Sequence, residues 1–141
     1  MIPRKLTVLL AGAALATLGA CTSSVENSQP DVQLAAYAAS TNYPSVQSEE
    51  AHDIGAILEP NSKIIRVLNF GQQAVNSSEV WLNGTFVYKV DTIPGEGYVS
   101  LPESNFYDHS GHPFSDTQST PTKIELRNGD HLWTLMGPIV Q

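Results

Sequence analysis

The sequence predicts an all-β domain, a small antiparallel β-sandwich. Three observations carry that expectation. From residue 54 onward the apolar residues come in short β-type runs, and no stretch after residue 50 keeps a 3.6-residue apolar period. Pro60, Pro94, Pro102, Pro113, Pro121 and Pro138 are expected between runs, where a missing N–H does least harm. Two Asn-Gly pairs, Asn83-Gly84 and Asn128-Gly129, each join two runs, and such pairs favour tight hairpin turns.

Seven strands follow in order. Ile54 to Leu58 is the first and Lys63 to Phe70 the second. Glu79 to Leu82 and Thr85 to Val90 flank Asn83-Gly84. Tyr98 to Leu101 is a short fifth, and Lys123 to Arg127 and Asp130 to Met136 flank Asn128-Gly129. Several short strands with turn signals suit a sandwich.

A two-residue turn at Asn83-Gly84 sets Leu82 against Thr85, Trp81 against Phe86 and Val80 against Val87. Trp81, Phe86 and Tyr88 then share one face, and Val80, Leu82 and Val87 the other. An open aromatic face would be a platform for a sugar ring or an apolar peptide. A closed one would be core, and that is the expectation favoured here.

The same rule at Asn128-Gly129 sets Arg127 against Asp130 and Leu126 against His131. One face gathers Ile124, Leu126, His131 and Trp133; the other carries Lys123, Glu125, Arg127, Asp130 and Thr134 around Leu132. That alternation marks one buried and one wet face. His131 reads as a core histidine rather than a base.

The chain before these strands is of another kind. Arg4 and Lys5 precede an almost wholly apolar run, Leu6 to Leu18, which ends in small residues. This is the layout of a secretory signal. At about thirteen residues the run is short of the ~20 a membrane-spanning helix needs. Ordinary cleavage after Gly19-Ala20 is the plain alternative. The only cysteine follows directly, and Leu18-Gly19-Ala20-Cys21 resembles the lipobox of bacterial lipoproteins.

That resemblance covers residues 1–21 and implies a diacylglyceryl group on the Cys21 thiol, with cleavage of residues 1–20 before it. A single acyl chain anchors only marginally, whereas two or more hold firmly. Thr22, not Asp, follows the cysteine. By the family's sorting rule this implies the outer membrane of a bacterial envelope rather than the inner one.

Without the signal, 121 of the 141 residues remain, enough for one domain. Arg4 and Lys5 go with the signal, so five of the 7 Lys+Arg face all 14 Asp+Glu, a formal charge of −9. Such acidity argues against nucleic acid and against docking on anionic headgroups. With Cys21 lipidated no disulfide is available. Residues 21–50 are polar with few large apolar side chains, which predicts a flexible tether, Leu34 to Ala39 forming at most a transient helical turn. The β domain is expected at residues 51–141.

Asp108, His109, His112 and Asp116 could ligate zinc, yet the stretch reads as a Gly- and Pro-containing loop, so no metal and no cofactor are expected. Asp91, Glu96 and Glu103 lie near expected loops as ordinary solvated carboxylates. Asn76-Ser77-Ser78 and Asn83-Gly84-Thr85 match a glycosylation pattern by chance. No Gly-x-Ser-x-Gly, phosphate-loop, His-Glu-x-x-His or Gly-x-Gly-x-x-Gly motif occurs.

Beyond the lipobox, the domain looks like small immunoglobulin- or fibronectin-type surface modules, by pattern alone. The expected function is therefore a non-catalytic envelope lipoprotein serving protein interaction or envelope assembly. Its partners would be the membrane, through the lipid, and an envelope protein or the cell wall. The alternatives are a carbohydrate- or peptidoglycan-binding module and a small metal-dependent hydrolase on the 108–116 loop.

Overall fold

A computed structural model describes residues 31–59 and 61–140. The signal, the lipobox with Cys21 and the first part of the expected tether lie outside the described residues. Seven strands form: β1 Glu49–Glu59, β2 Ile64–Asn69, β3 Val75–Leu82, β4 Phe86–Ile93, β5 Gly97–Pro102, β6 Ile124–Asn128 and β7 His131–Val140. Each contains or overlaps one of the expected runs. Among the described residues one helix, α1 Val32–Ala39, precedes them, and short 3₁₀ turns occupy Glu103–Asn105 and Phe114–Thr117.

The strands belong to one mixed sheet, in the order β4-β3-β6-β7-β1-β2-β5, instead of two stacked antiparallel sheets. The difference comes from β1 and β7, which pair in parallel; the other neighbours are antiparallel. With the first and last strands joined in mid-sheet, the outer strands β4 and β5 curl round into contact. The result is a nearly closed barrel around one core. Leu58, Ile65, Val67, Val80, Leu82 and Leu126 fill it, with Phe106 and Phe114 among them. One end of the barrel gathers the starts of β1, β3, β5 and β7; the other, where β1 ends at Glu59 and β2 begins at Ile64, lies opposite.

Both hairpins form, but away from the expected register: the partner strand is displaced by one residue at the first and by two at the second, where Leu126 meets Trp133 in place of His131. Asn83 and Gly84 adopt φ +53° and +70°, as a type I′ turn requires, and Thr85 N–H donates to Leu82 O at 3.0 Å. Thr85 is then an extra residue, and Leu82 pairs with Phe86, Trp81 with Val87 and Val80 with Tyr88. Asn83 explains the shift. Its N–H donates to Lys123 O at 2.9 Å, and its Oδ1 accepts from Thr122 N, Thr122 Oγ1 and Lys123 N. The residue belongs to the β3–β6 junction as much as to the turn.

At the second hairpin the loop is Gly129-Asp130, with Asn128 paired to His131 and Leu126 to Trp133. Gly129 has φ +63° and Asp130 is not in the positive-φ region, which fits a type II′ turn with glycine first. Asn128 stays in β6 because its Nδ2 donates to Asn76 O at 2.7 Å and to Ser78 Oγ at 3.1 Å.

The register shift changes which side chains meet. Phe86 and Tyr88 point with Val80 and Leu82 into the barrel core, stacking edge-on or tilted against Phe114 and Phe106. Trp81 lies on the opposite face with Val87. The expected three-ring face therefore does not exist. The face expected to be wet also differs: Glu125 and Leu132 are buried, while His131, expected in the core, is exposed.

The segment expected to be part of a free tether covers that outer face. Asp31 caps α1, its Oδ1 accepting from Gln33 N and Leu34 N at 3.0 and 3.1 Å. Ala38 then packs on Trp81, Val87 and Tyr107. Two tyrosines fasten the segment to buried glutamates. Tyr37 Oη donates to Glu79, which also accepts from Trp81 Nε1 at 3.0 Å. Tyr43 Oη donates to Glu125 at 2.7 Å and meets Trp81 edge-on, centroids 5.4 Å apart. Among the described residues, no helix is long and apolar enough to cross a membrane.

Candidate functional site

The parallel β1–β7 pairing is irregular. Glu49 and Glu50 pair with Trp133 and Thr134, and pairing resumes only at Gly55 opposite Met136. On β1 the intervening residues include His52 and Asp53, both exposed, between buried Ala51 and Ile54. Extra residues on one strand bend it and open the ladder. A second irregularity follows between Gly55 and Ile57, beside Pro138 of β7, which has no N–H to donate.

A cleft of about 610 Å³ opens where the ladder parts. Glu49, Glu50, His52 and Asp53 line one side, Gln72 and Gln73 another, and Trp133 contributes its indole. Trp133 is half-buried and is stacked by His131, ring centroids 5.5 Å apart and planes at 3°. Asn69 holds the 69–73 turn: its Nδ2 donates to Gln73 O at 2.8 Å, and its Oδ1 accepts from Gly71 N at 2.9 Å.

Beyond that turn a shallow groove of about 310 Å³ runs between Phe70 and Tyr98, and Asn69 borders both depressions. Phe70 is 62 % exposed and Tyr98 53 %. Phe70 is placed by its N–H, which donates to Asp53 O at 2.8 Å, and by Gly55, where a Cβ would come within 3.3 Å of the ring. Any larger residue at 55 would lift the ring. Tyr98 is held by Arg66, whose guanidinium lies 4.8 Å from the ring centroid while its Nη2 pairs with Glu59 at 2.7 Å.

No family model, curated protein or solved structure matches this chain. The surface is therefore read from its own chemistry. Two exposed rings stand beside an acidic rim of Glu49, Glu50, Asp53 and Glu96, none of which forms an ion pair among the described residues. Rings, carboxylates and primary amides together suit recognition by stacking, charge and hydrogen bonding.

The residues singled out in the sequence lie elsewhere. Trp81 is 2 % exposed beneath α1 and Tyr43, and offers no platform. Asp108 is engaged within its own loop: Oδ1 accepts from Ser110 N and His112 N at 2.9 Å each, and Oδ2 lies 3.6 Å from His112 Nδ1. Among the described residues no three His, Cys, Asp or Glu side chains converge as metal ligands. Glu96 is exposed in the turn after β4, as expected; Asp91 is exposed but stands within β4 rather than in a loop, and Glu103 is buried.

The signals that could have found the cleft were present but faint. His52-Asp53 interrupts a strand with two polar residues, and Phe70 ends the second run directly before Gly71. What joins them is the sheet order, which brings β1, β2, β5 and β7 together.

Proposed function

We propose that this protein is a non-catalytic, lipid-anchored lipoprotein of the bacterial envelope, held at the outer membrane through Cys21. Its β domain engages a protein partner in interaction or assembly. The observation that carries this reading is the pair of exposed rings, Phe70 and Tyr98, beside the unpaired carboxylates Glu49, Glu50, Asp53 and Glu96. Exposed aromatic patches with polar rims mark interaction surfaces. A matching partner presents apolar side chains flanked by Lys or Arg.

The test is a photo-crosslinking residue placed at position 70 in living cells. A discrete envelope-protein adduct, lost with Tyr98→Ala, supports the proposal. Crosslinks only to lipid, or an adduct indifferent to Tyr98, overturn it. A second reading, binding of cell-wall glycan, rests on Trp133 in a cleft walled by amides and carboxylates. Retention on purified cell wall that falls with Trp133→Ala, while Phe70→Ala has no effect, favours it over the first.

A further inference from the structure

The opposite end of the barrel carries a different feature. Between the end of β1 and the 3₁₀ turn Phe114–Thr117 lies a second cleft, about 380 Å³, lined by Leu58, Lys63, Glu103, Ser115, Ser119 and Thr120 among others. Its volume is at the small end for ligand pockets, which suits a molecule of a few heavy atoms and not a polymer.

Glu103 is the unusual member. It opens the 3₁₀ turn Glu103–Asn105, only 7 % exposed, with its N–H donating to Lys63 O at 3.0 Å. Among the described residues its carboxyl has neither a hydrogen-bond donor nor an ion-pair partner within 4 Å. Its oxygens open on the cleft, since the one buried side-chain polar atom without a partner among the described residues is Arg66 Nε, and a carboxylate so poorly solvated gains from a counter-charge. Burial indeed holds the Glu103 carboxyl above the usual carboxylate range, with Lys63 pulling it back down.

Lys63 lines the same cleft and is close enough to be felt at Glu103, yet the two form no salt bridge. Its backbone sits in the left-handed region, φ +54°. Gln118, also lining the cleft, has φ +56°. A lysine and a glutamate that line one small space without pairing leave room for a molecule bearing the opposite pair of charges. We propose that this cleft binds a small zwitterion, a free α-amino acid or dipeptide. Its ammonium meets Glu103, its carboxylate meets Lys63, and the Leu58 side of the cleft takes an apolar side chain. Ser115, Ser119 and Thr120 supply neutral hydroxyls for the remaining polar atoms. This goes beyond the partner-binding reading and uses no residue of that surface.

The experiment is an amide-resolved NMR titration of the full chain in detergent with alanyl-alanine, against its N-acetylated and C-amidated forms. The expected result is saturable shifts at Lys63, Glu103 and Ser119 with the free dipeptide. Either capped form should bind at least about tenfold more weakly, as each loses one charge contact. Glu103→Gln and Lys63→Met should each weaken binding by a similar factor while the remaining spectrum stays that of the folded protein. Absence of saturable shifts at millimolar dipeptide, equal binding of the capped forms, or shifts confined to His52, Gln72 and Trp133 each overturn the proposal.

Discussion

Trp81 concentrates the energetics of the outer face. Its ring is 2 % exposed, its Nε1 donates to Glu79, and Tyr43 closes over its edge. Truncating a buried tryptophan removes its transfer energy and leaves a cavity, together about 3–5 kcal/mol. Trp81→Ala should lower stability by that amount in denaturant melts. A loss under about 1 kcal/mol would mean the face is open to solvent. Acrylamide quenching separates the two tryptophans: in Trp133→Phe the remaining Trp81 emission should be shielded.

Glu103 sets a second residue-scale expectation. Its folded-state carboxyl lies above the ordinary 4.5 through burial, so the folded state prefers the protonated form. Stability from this group is full below pH 4.5 and falls as pH rises through the folded value. Glu103→Gln mimics the neutral form. It should therefore raise the melting temperature at pH 7 and converge with the wild type in acid. Equal melting points at both pH values would show that the carboxyl is hydrated.

At the scale of elements, the 31–43 segment is the part least expected from composition. It has a single large aliphatic in α1 facing the domain, Leu34, and alone could not offset the entropy of ordering. What orders it is supplied by distant strands: Glu79 of β3 and Glu125 of β6, on either side of Trp81, each receiving one tyrosine hydroxyl. Burial, reinforced by the Glu79 bond, pushes the Tyr37 hydroxyl from 10.0 up to about 12. A raised folded-state value means the stabilisation is intact below pH 10 and is lost as pH climbs through 12. The segment should detach in that window, read as rising acrylamide access to Trp81. Tyr37→Phe should weaken docking at neutral pH, because Glu79 loses a donor, by about 1–3 kcal/mol. It should also flatten the alkaline step that Tyr37 contributes.

The strands themselves were legible because turn chemistry is local. The Asn-Gly pairs and most prolines mark strand ends, although Gly55 lies within β1 and Pro138 within β7, and all seven runs became strands. Register was not legible to the last residue. Thr85 is extruded because Asn83 also bonds to the entry of β6, and Asn128 stays paired because Asn76 and Ser78 hold its amide. Those bonds join residues about forty to fifty positions apart. A one-residue slip exchanges the two faces, so the Trp81–Phe86–Tyr88 platform dissolved with it. The Phe70–Tyr98 surface was hidden for a related reason: its members come from four strands whose order no local pattern encodes.

For the whole molecule, docking of α1 changes what the anchor can do. Between Cys21 and Asp31 lie about ten residues, at most ~35 Å when fully extended. The expected tether of residues 21–50 would have allowed roughly three times that contour. A lipidated Cys21 would therefore keep the domain near the bilayer surface, with Asp31 N–H bonded to Tyr107 Oη at 2.8 Å as the point where the leash meets the barrel. The core and the outer-face latch described above are built from residues between 31 and 135, so anchoring and folding should be separable. Cys21→Ala should move the protein from the membrane to the soluble fraction while leaving its melting temperature and near-ultraviolet dichroism unchanged. Persistence in salt-washed membranes would exclude the lipid anchor. Release accompanied by a lower melting point would show instead that the bilayer contributes to the fold, for example by bracing the Asp31–Tyr107 contact.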